Sequence, residues 1–323
     1  MAIIEFKDFK ERLEEYEFIF KNVKEMQKHL EVIFVFGKAG TNPSDSNWAK
    51  FKNFVFRKEG TNPSDSHRAK FLNFAQQQDT PFTFLTIETL YDDLKMFSGR
   101  NGISAKRTAL VDLELRAIKQ AYSLVIFPES VGSYAELGYF TAIEETQHKI
   151  CVANHFSFSN ENSYLNHIID VVHNTRELRP FLYDWNNPSP NDAFKSLLNK
   201  LSQDYQSTLH TENYKKNDLF PLAITYELIK IFPYLTFTYL SYATKYILKK
   251  HEINFDNEVF TVNISMLAVA GLIRREKYEG EMYFIPTSKN FSLIKYNLSE
   301  TQYKEKLDLD VKYLEDITRI KID

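Results

Sequence analysis

Residues 124–138, LVIFPESVGSYAELG, constrain the fold of this chain more than any other segment. They begin with four apolar residues, continue through a polar turn that contains Pro128 and Gly132, and then take on helical spacing. This order predicts a buried strand, a tight turn and the start of a helix. In an open α/β sheet, ligands bind beyond the carboxyl ends of the strands, and a helix N-terminus there offers free N–H groups to an anion. The segment therefore predicts both a fold and a site.

Strands and helices are predicted to alternate along the first half of the chain. The strand candidates are residues 32–36, 83–87, 124–127 and 149–153, and the helix candidates are residues 6–30, 113–122 and 137–147. Such alternation is typical of a parallel sheet with helices on both faces. We therefore expect an α/β, parallel-sheet, Rossmann-like domain.

A tandem repeat of 20 residues interrupts this order at residues 34–53 and 54–73. The two copies differ at five positions: Gly37/Arg57, Ala39/Glu59, Asn47/His67, Trp48/Arg68 and Lys52/Leu72. Two units are too few for a solenoid, so we interpret the repeat as a local duplication. Copy one should supply the strand, because residues 57–59 of copy two are charged and make a poor buried strand end. Residues 44–56 should then form a helix that ends at Gly60, and a second helix should start near Ser64.

The last third of the chain has a different plan. Residues 221–232, 237–248 and 259–276 have helical spacing, and a strand pair is expected at 278–285 with its turn at 279–281. Three helices followed by a hairpin predict a mostly α winged helix-turn-helix domain at 211–290, after a first domain at 1–210. Acidic and basic residues are balanced there, which argues against strong autonomous DNA binding. Residues 291–323 are predicted to form an exposed or partner-bound helical tail.

The composition excludes several classes of protein. The net charge of −3 provides no global basic field for nucleic acid. The single cysteine, Cys151, excludes an intrachain disulfide and a cysteine-rich zinc site, and it lies in an apolar run that predicts a core position. Histidines and carboxylates show no metal-binding spacing, so we expect no metal. No apolar run approaches the length of a membrane span and no signal pattern opens the chain, so a cytoplasmic protein is expected.

Glu136 is the candidate catalytic residue, because it lies at the start of the helix after the third strand. A carboxylate at this place can act as a nucleophile at an anomeric carbon, where positive charge develops during glycosidic cleavage. Ser130, Ser133 and nearby N–H groups would hold a phosphate or a sugar hydroxyl, and Gly132 would let the backbone approach the ligand. The alternative is purely structural: Ser130 caps a helix, and Glu129 and Glu136 favour its positive end.

Two further loops are expected to border the same cleft. Tyr91-Asp92-Asp93 follows the second strand, and its acidic residues would hydrogen-bond a base or ribose, or else form a solvated helix face. Gly37 and the GTNPSDS turn follow the first strand. We found no G-x-G-x-x-G or phosphate-loop lysine motif, so a dinucleotide-binding or NTPase function is weakly supported.

Taken together, these residues resemble the nucleoside deoxyribosyltransferase-like effectors of bacterial retrons. The specific part of the resemblance is FPESVGSYAELG at 127–138. Further segments occur in the same order along the chain as in the family: Phe36-Gly37-Lys38, GTNPSDS, Tyr91-Asp92-Asp93-Leu94, Leu113-Glu114 and FSFSNENSYLN at 156–166. The winged helix-turn-helix extension is similar as well. The duplicated unit departs from the family pattern, in which one GTNPSDS turn is expected.

The resemblance implies an N-glycosidase toxin of an anti-phage system. Cleavage of the nicotinamide–ribose bond of NAD is the implied activity, with NAD as substrate and no cofactor. The implied partners are a reverse transcriptase and its branched RNA–DNA product (msDNA), and a homo-oligomer is expected. Glu136 matches the catalytic glutamate, and Asp92 matches the acidic position after the second strand. Glu129, Ser130, Gly132 and Ser133 match the loop around sugar and phosphate, and Asp45 of copy one is favoured as the ligand contact from the repeat.

Two other functions remain open at this point. An N-glycosidase or deoxyribosyltransferase of this kind would act on nucleosides, deoxynucleosides or nucleotides in place of NAD. A function of another class is a non-catalytic regulator, in which a nucleotide-sensing domain is joined to a DNA-binding winged helix.

Overall fold

The computed structural model describes residues 5–26, 30–38, 66–98, 107–155, 163–176, 181–183, 191–203, 215, 219–278, 280–288 and 291–322. The strands are β1 (Val23–Met26), β2 (Leu30–Phe36), β3 (Thr83–Leu85), β4 (Ala121–Ile126), β5 (Ile150–His155), β6 (Phe181–Tyr183), β7 (Leu235–Thr236), β8 (Ile273–Tyr278), β9 (Glu281–Pro286) and β10 (Ile294–Tyr296).

The helices of the first half are α1 (Phe6–Glu15), α2 (Glu17–Lys21), α3 (His67–Ala75), α4 (Ile87–Ser98), α5 (Arg107–Gln120), α6 (Val131–Thr141) and α7 (Glu144–Gln147). Those of the second half are α8 (Tyr164–Arg176), α9 (Asn191–Gln203), α10 (Phe220–Ile231), α11 (Phe237–Lys250), α12 (Asn257–Val269) and α13 (Glu300–Ile322).

A five-stranded sheet has the order β3-β2-β4-β5-β6. The pairs β2–β3, β4–β5 and β5–β6 are parallel, as the alternating sequence pattern predicts. The chain moves from β2 to β3 on one side and then returns to place β4 on the other side of β2. The strand order therefore reverses between β2 and β4, and this is where an open α/β sheet forms its ligand-binding crevice.

Both faces of this sheet are buried, which explains why its strands are continuous apolar runs. On one face, strand residues such as Val35 and Val125 join a core that includes Phe71 of α3 and Phe194 of α9. Cys151 is buried in the same core, so its predicted core position is confirmed. On the other face, Phe36 packs against Phe140 of α6, with ring centroids 5.2 Å apart.

The described chain separates into two compact units, each built from non-contiguous segments. Unit 1 comprises Met1–Leu30, Thr89–Gln120 and Gln206–Asp323, and unit 2 comprises Glu31–Glu88 and Ala121–Tyr205. The five-stranded sheet belongs to unit 2. The N-terminal helices, most of α4 and all of α5 belong to unit 1 together with the C-terminal elements.

Unit 1 is held together by contacts between distant parts of the sequence. Asp93 of α4 forms a two-pronged ion pair with Arg275 of β8, with N–O distances of 2.6 and 2.7 Å. Near the end of α5, the amide groups of Gln120 and Asn263 lie 2.6 Å apart in a buried position. Strand β1 pairs with β10, which joins the two ends of the chain. These contacts make the unit discontinuous in sequence.

The predicted elements differ from the structure at several boundaries. The single helix expected at 6–30 is wrong: α1 and α2 are separated at Tyr16, and residues 23–26 form β1 because they pair with β10. The second strand ends at Leu85, and Ile87 already begins α4. The helix that begins within residues 124–138 is expected to continue to 147 but ends at Thr141, and a separate short helix follows at Glu144–Gln147. These boundaries depend on strand pairing with distant residues and on helix capping. The spacing of apolar residues along the sequence carries no information on either.

The C-terminal order of three helices followed by a hairpin is present in α10, α11, α12, β8 and β9. The third helix ends at Val269 and not at 276, because residues 273–278 pair with β9 in a three-stranded antiparallel sheet. Gly280 lies in the predicted turn with a φ of +85°. In the tail, β10 precedes the long helix α13, whose Tyr313 is buried against Phe232. Among the described residues, no helix is both long and apolar enough to cross a membrane.

Candidate active site at the ends of β2 and β4

The carboxyl ends of β2 and β4 meet at the point where the strand order reverses. The amide of Phe127, directly after β4, donates to the carbonyl of Phe36, the last residue of β2, at 3.0 Å. Gly37 follows with a φ of +155°. A Cβ atom at this position would lie 2.9 Å from Glu129 Oε1 and 2.9 Å from Arg68 Cβ, too close for any side chain. Packing therefore requires glycine at position 37, whereas its contact with a ligand stays a prediction.

The carboxylate of Glu129 connects the β4 exit to the repeat. Its Oε1 accepts from the backbone N–H of Lys38 at 3.0 Å and of Arg68 at 3.2 Å, and lies 3.0 Å from Ser66 Oγ. Its Oε2 accepts from the backbone N–H of His67 at 3.0 Å and lies 3.0 Å from His67 Nδ1. The side chain is only 6% exposed. Glu129 thus caps the N-terminus of α3 and fixes the exit of β2 at the same time.

Arg68 adds a second connection, to the end of β3. The Nη1 and Nη2 atoms of its guanidinium each donate to Glu88 Oε1 at 3.1 Å, and the Arg68 side chain is 9% exposed. Glu88 lies in the first turn of α4, directly after β3. The beginning of α3 therefore contacts residues that follow three neighbouring strands, β2, β3 and β4.

Hydrogen bonds and the positive charge of Arg68 stabilise the negative charges of Glu129 and Glu88. Burial by itself would raise the pKa of Glu129, but the side-chain and backbone hydrogen bonds from His67, together with the Arg68 N–H, outweigh it and lower that pKa. Burial also acts to raise the pKa of Glu88, and the nearby positive charge of Arg68 reverses the direction, so this pKa is lowered as well. Both carboxylates are therefore stabilised in the ionised form and suited to hold structure.

Ser130 and Ser133 form a reciprocal cap at the start of α6. Ser130 Oγ accepts from the Ser133 N–H at 3.2 Å, and Ser133 Oγ accepts from the N–H groups of Ser130 and Glu129 at 3.0 and 3.1 Å. The interpretation of Ser130 as a helix cap is thus confirmed, and Ser133 completes a capping box that was not predicted. A role in binding phosphate or sugar stays a prediction, which applies best to the half-exposed Ser130 because Ser133 is buried.

Gly132 occupies the second position of α6 and is exposed. A Cβ atom added there would have Ser130 Oγ, 3.8 Å away, as its nearest contact within the protein. Packing among the described residues therefore gives no reason for glycine at this position. A ligand that lies close to the backbone at this position would explain the glycine.

Glu136 lies on the second turn of α6, beyond the capped N-terminus. Its side chain is half-buried, and its Oε2 atom is buried. It shares unit 2 with Gly37, Glu129, Ser130, Gly132 and Ser133. The predicted strand–turn–helix order thus places Glu136 on the helix that leaves the switch point of the sheet.

The remaining predicted site residues belong to unit 1 or lie outside the described residues. Asp92 belongs to unit 1, where its carboxylate lies 2.6 Å from Lys95 in an exposed ion pair within α4. Its neighbours are engaged in the same unit, Tyr91 with the carboxylate of Glu114 and Asp93 with Arg275. Asp45 lies outside the described residues. Ligand binding by Asp92 and by Asp45 remains a prediction.

Sequence reasoning missed Ser66, His67, Arg68 and Glu88 as parts of this cluster. A signal for two of them was present, since His67 and Arg68 are among the five positions at which the repeat copies differ. The second helix of the repeat does begin close to Ser64, as predicted, with Ser66 as its N-cap residue. The helix predicted at 44–56 lies outside the described residues.

Unit 1 has a cavity of its own. It has a volume of about 290 Å³, and its lining includes Arg116, Lys119, Asn263 and Phe260. The hydroxyl of Thr244, also in the lining, is buried without a hydrogen-bond partner among the described residues.

Within the part of the chain that the structure describes, no group of three or more His, Cys, Asp or Glu residues is placed to bind a metal ion.

Comparison with models of protein families identifies a related family. A family model described as STM3845 retron effector protein matches residues 64–275, which is more than half of the chain. The match begins inside copy two of the repeat and includes α6 with Glu136. No curated protein matches the chain.

Proposed function

This chain belongs to the STM3845 retron effector protein family, and from this premise we propose that it is an N-glycosidase toxin that hydrolyses NAD. Its membership of a retron effector family makes it a retron-associated defence effector. The catalytic activity, its substrate and the residues that perform it are the proposed part.

The observation that carries the proposal is the position of Glu136. It lies on α6, which starts directly after β4 at the switch point of a parallel sheet, where ligands of α/β proteins bind. The N-terminus of α6 carries a partial positive charge that favours the phosphates of a dinucleotide. A carboxylate one turn further along the same helix would lie beyond the phosphates, on the side where a ribose is expected.

The proposed reaction needs one carboxylate and one water. The Glu136 carboxylate attacks C1′ of the nicotinamide ribose, and the C1′–N bond breaks with its electron pair passing to the ring nitrogen. Nicotinamide is cationic in NAD and leaves as a neutral molecule, so no strong general acid is required. Water then attacks C1′, releases the carboxylate and gives up a proton to solvent, which leaves ADP-ribose as the second product.

The neighbouring residues would support this reaction in different ways. Glu129 is occupied by hydrogen bonds from three backbone N–H groups and would act by holding the loop, not as a second catalytic carboxylate. Gly132 would leave room for the ligand at the exposed start of α6. Ser130 would present its hydroxyl to a phosphate or a sugar.

The C-terminal elements support a role in assembly. Three helices followed by an antiparallel hairpin are compatible with a winged helix-turn-helix, and we propose that this part docks the retron reverse transcriptase and its msDNA. The proposed homo-oligomer would allow a neighbouring copy to complete the site.

The proposal is tested by incubating the purified protein with NAD and separating the products by chromatography. The expected products are nicotinamide and ADP-ribose, and Glu136→Gln should reduce their formation by at least about a hundredfold. The matched control is Glu144→Gln, which removes an exposed carboxylate from the next helix of unit 2 and should leave cleavage unchanged. Cleavage by Glu136→Gln at the control rate would remove Glu136 from the nucleophile role.

Parallel incubations separate the competing functions. Release of free base from a deoxynucleoside or deoxynucleotide, with NAD intact, would assign the glycosidase to those substrates. A non-catalytic regulator would instead bind a nucleotide reversibly, release no base, and bind a DNA operator through its C-terminal elements.

A further inference from the structure

The positions at which the two repeat copies differ coincide with contacts in unit 2. The copies span 34–53 and 54–73 and are identical at all but five positions. The first part of copy one forms the end of β2 and its exit, whereas the last part of copy two forms most of α3. Each of the five differences can therefore be compared with the place that the residue occupies.

The first difference, Gly37 against Arg57, allows only copy one to follow β2. A Cβ atom at position 37 would lie 2.9 Å from Glu129 Oε1 and 3.2 Å from Phe127 Cβ. An arginine there would displace the Glu129 carboxylate from the N-terminus of α3. Copy two therefore cannot supply this strand end without disrupting the cluster.

The later differences allow only copy two to form α3. His67 and Arg68 contact Glu129 and Glu88 through their side chains, whereas the equivalent residues of copy one are Asn47 and Trp48. Leu72 packs against the apolar core of the sheet, where copy one would place Lys52. Four of the five differences thus match the contacts of one composite unit, and Ala39/Glu59 is the one that no described contact explains.

We propose that the candidate site is assembled from the first part of copy one and the last part of copy two, and that a 20-residue segment between them is dispensable. In this arrangement His67 and Arg68 are positioning residues: they hold Glu129, Glu88 and the exit of β2 in place. The family match, which begins at residue 64, takes in α3 from copy two. The positioning of a catalytic site rests on the proposed function, whereas the composite assembly does not.

Three deletions of equal length test the proposal in the full chain. Removing residues 41–60 leaves a single composite copy with Gly37, His67, Arg68 and Leu72. Removing residues 54–73 leaves copy one, and removing residues 34–53 leaves copy two. The copy-one variant differs from the composite variant at three positions only, and the copy-two variant at two. The length of the connection between β2 and α3 is therefore the same in all three.

Thermal unfolding and hydrogen exchange in α3 are measured for each variant. The composite variant should unfold at or above the midpoint of the full chain, because a shorter connection costs less conformational entropy to close. The other two should unfold at least about 5 °C lower and lose protection in α3. Substituting Asn47→His, Trp48→Arg and Lys52→Leu in the copy-one variant regenerates the composite sequence and should restore both properties, each substitution accounting for part of the recovery.

The outcomes separate this proposal from the proposed function. Equal stability of the three variants, or loss of the fold in the composite variant alone, would overturn the composite assembly, whatever happens to NAD. In the full chain, His67→Ala should also shift the pH at which the fold is lost in acid, since it removes the side-chain contact with the Glu129 carboxylate. An unchanged pH profile would remove the His67 side chain from the positioning role. If NAD is not cleaved but these results hold, only the catalytic part fails.

Discussion

The Oε2 atom of Glu129 lies 3.0 Å from the Nδ1 atom of His67 and also accepts the backbone N–H of His67 at 3.0 Å. The two residues are 62 positions apart in sequence. One carboxylate after β4 therefore determines where α3 begins. Because the same carboxylate accepts the N–H of Lys38 after β2, it also links the two strands on either side of the switch point.

Glu129→Gln should destabilise the protein by about 1–3 kcal/mol, because the amide replaces one acceptor oxygen by a donor that faces N–H groups. Equilibrium unfolding in denaturant measures this change. Glu144→Gln, at an exposed position, provides the comparison and should change the free energy of unfolding by less than about 0.5 kcal/mol. A Glu129→Gln protein as stable as the control would show that the network contributes little.

Stability should fall in acid because the pKa values of Glu129 and Glu88 are both lowered by folding. A carboxyl with a depressed folded pKa contributes stability above its unfolded pKa, near about 4.3 for glutamate. This contribution decreases as the pH falls below that value and is absent once the pH lies below the folded pKa. Unfolding free energies measured from neutral pH down to acid should therefore decline less steeply in Glu129→Gln than in the unmodified protein.

Gly132→Ala shows whether Gly132 is needed for folding or for the binding of a ligand. Alanine fits at this position without a close contact and favours the helix, so stability should be unchanged or higher by up to about 1 kcal/mol. Binding or cleavage of NAD should nevertheless weaken, because the added methyl group occupies space next to the start of α6. Unfolding measurements and NAD turnover on the same preparation check both halves, and unimpaired turnover would place the ligand elsewhere.

Substitution of the adjacent residues Asp92 and Asp93 in α4 should change the free energy of unfolding by different amounts. Asp93→Asn breaks a two-pronged pair with Arg275 whose side chains are 15% and 10% exposed, and the loss is expected to be about 3 kcal/mol. Asp92→Asn removes an exposed pair with Lys95 and should cost about 1 kcal/mol or less. Denaturant unfolding compares the two. If Asp92→Asn impairs NAD turnover without loss of stability, its predicted contact with the ligand gains support.

Sequence reasoning worked where the signal was local. The apolar runs predicted β2 and β5 closely, and the turn at 127–130 with Ser130 predicted the start of α6 as a helix cap. Apolar spacing failed at residues 23–26 and 273–278, where pairing with a distant strand overrides helical periodicity. The grouping of residues 89–120 with the C-terminal elements also depends on contacts between distant parts of the sequence.

The partners of Glu129 show the same limit within the site. Its position after β4 is evident from the sequence, and a helix-capping role was one interpretation of it. The helix predicted to benefit was α6, whereas the carboxylate caps α3. No local pattern identifies that partner, because the two elements meet only when β4 is inserted beside β2.

By itself, the sequence determined that residues 124–138 form a strand, a turn and a helix, that the central sheet is parallel, and that copy one of the repeat provides the strand before Gly37. These properties depend on apolar periodicity, capping and steric freedom within a few residues. Only the tertiary structure decided that Ser66, His67 and Arg68 surround Glu129, which follows β4. Those contacts join residues some 60 positions apart. Strand order and packing bring such residues together, and neither property can be read from a short segment of the sequence.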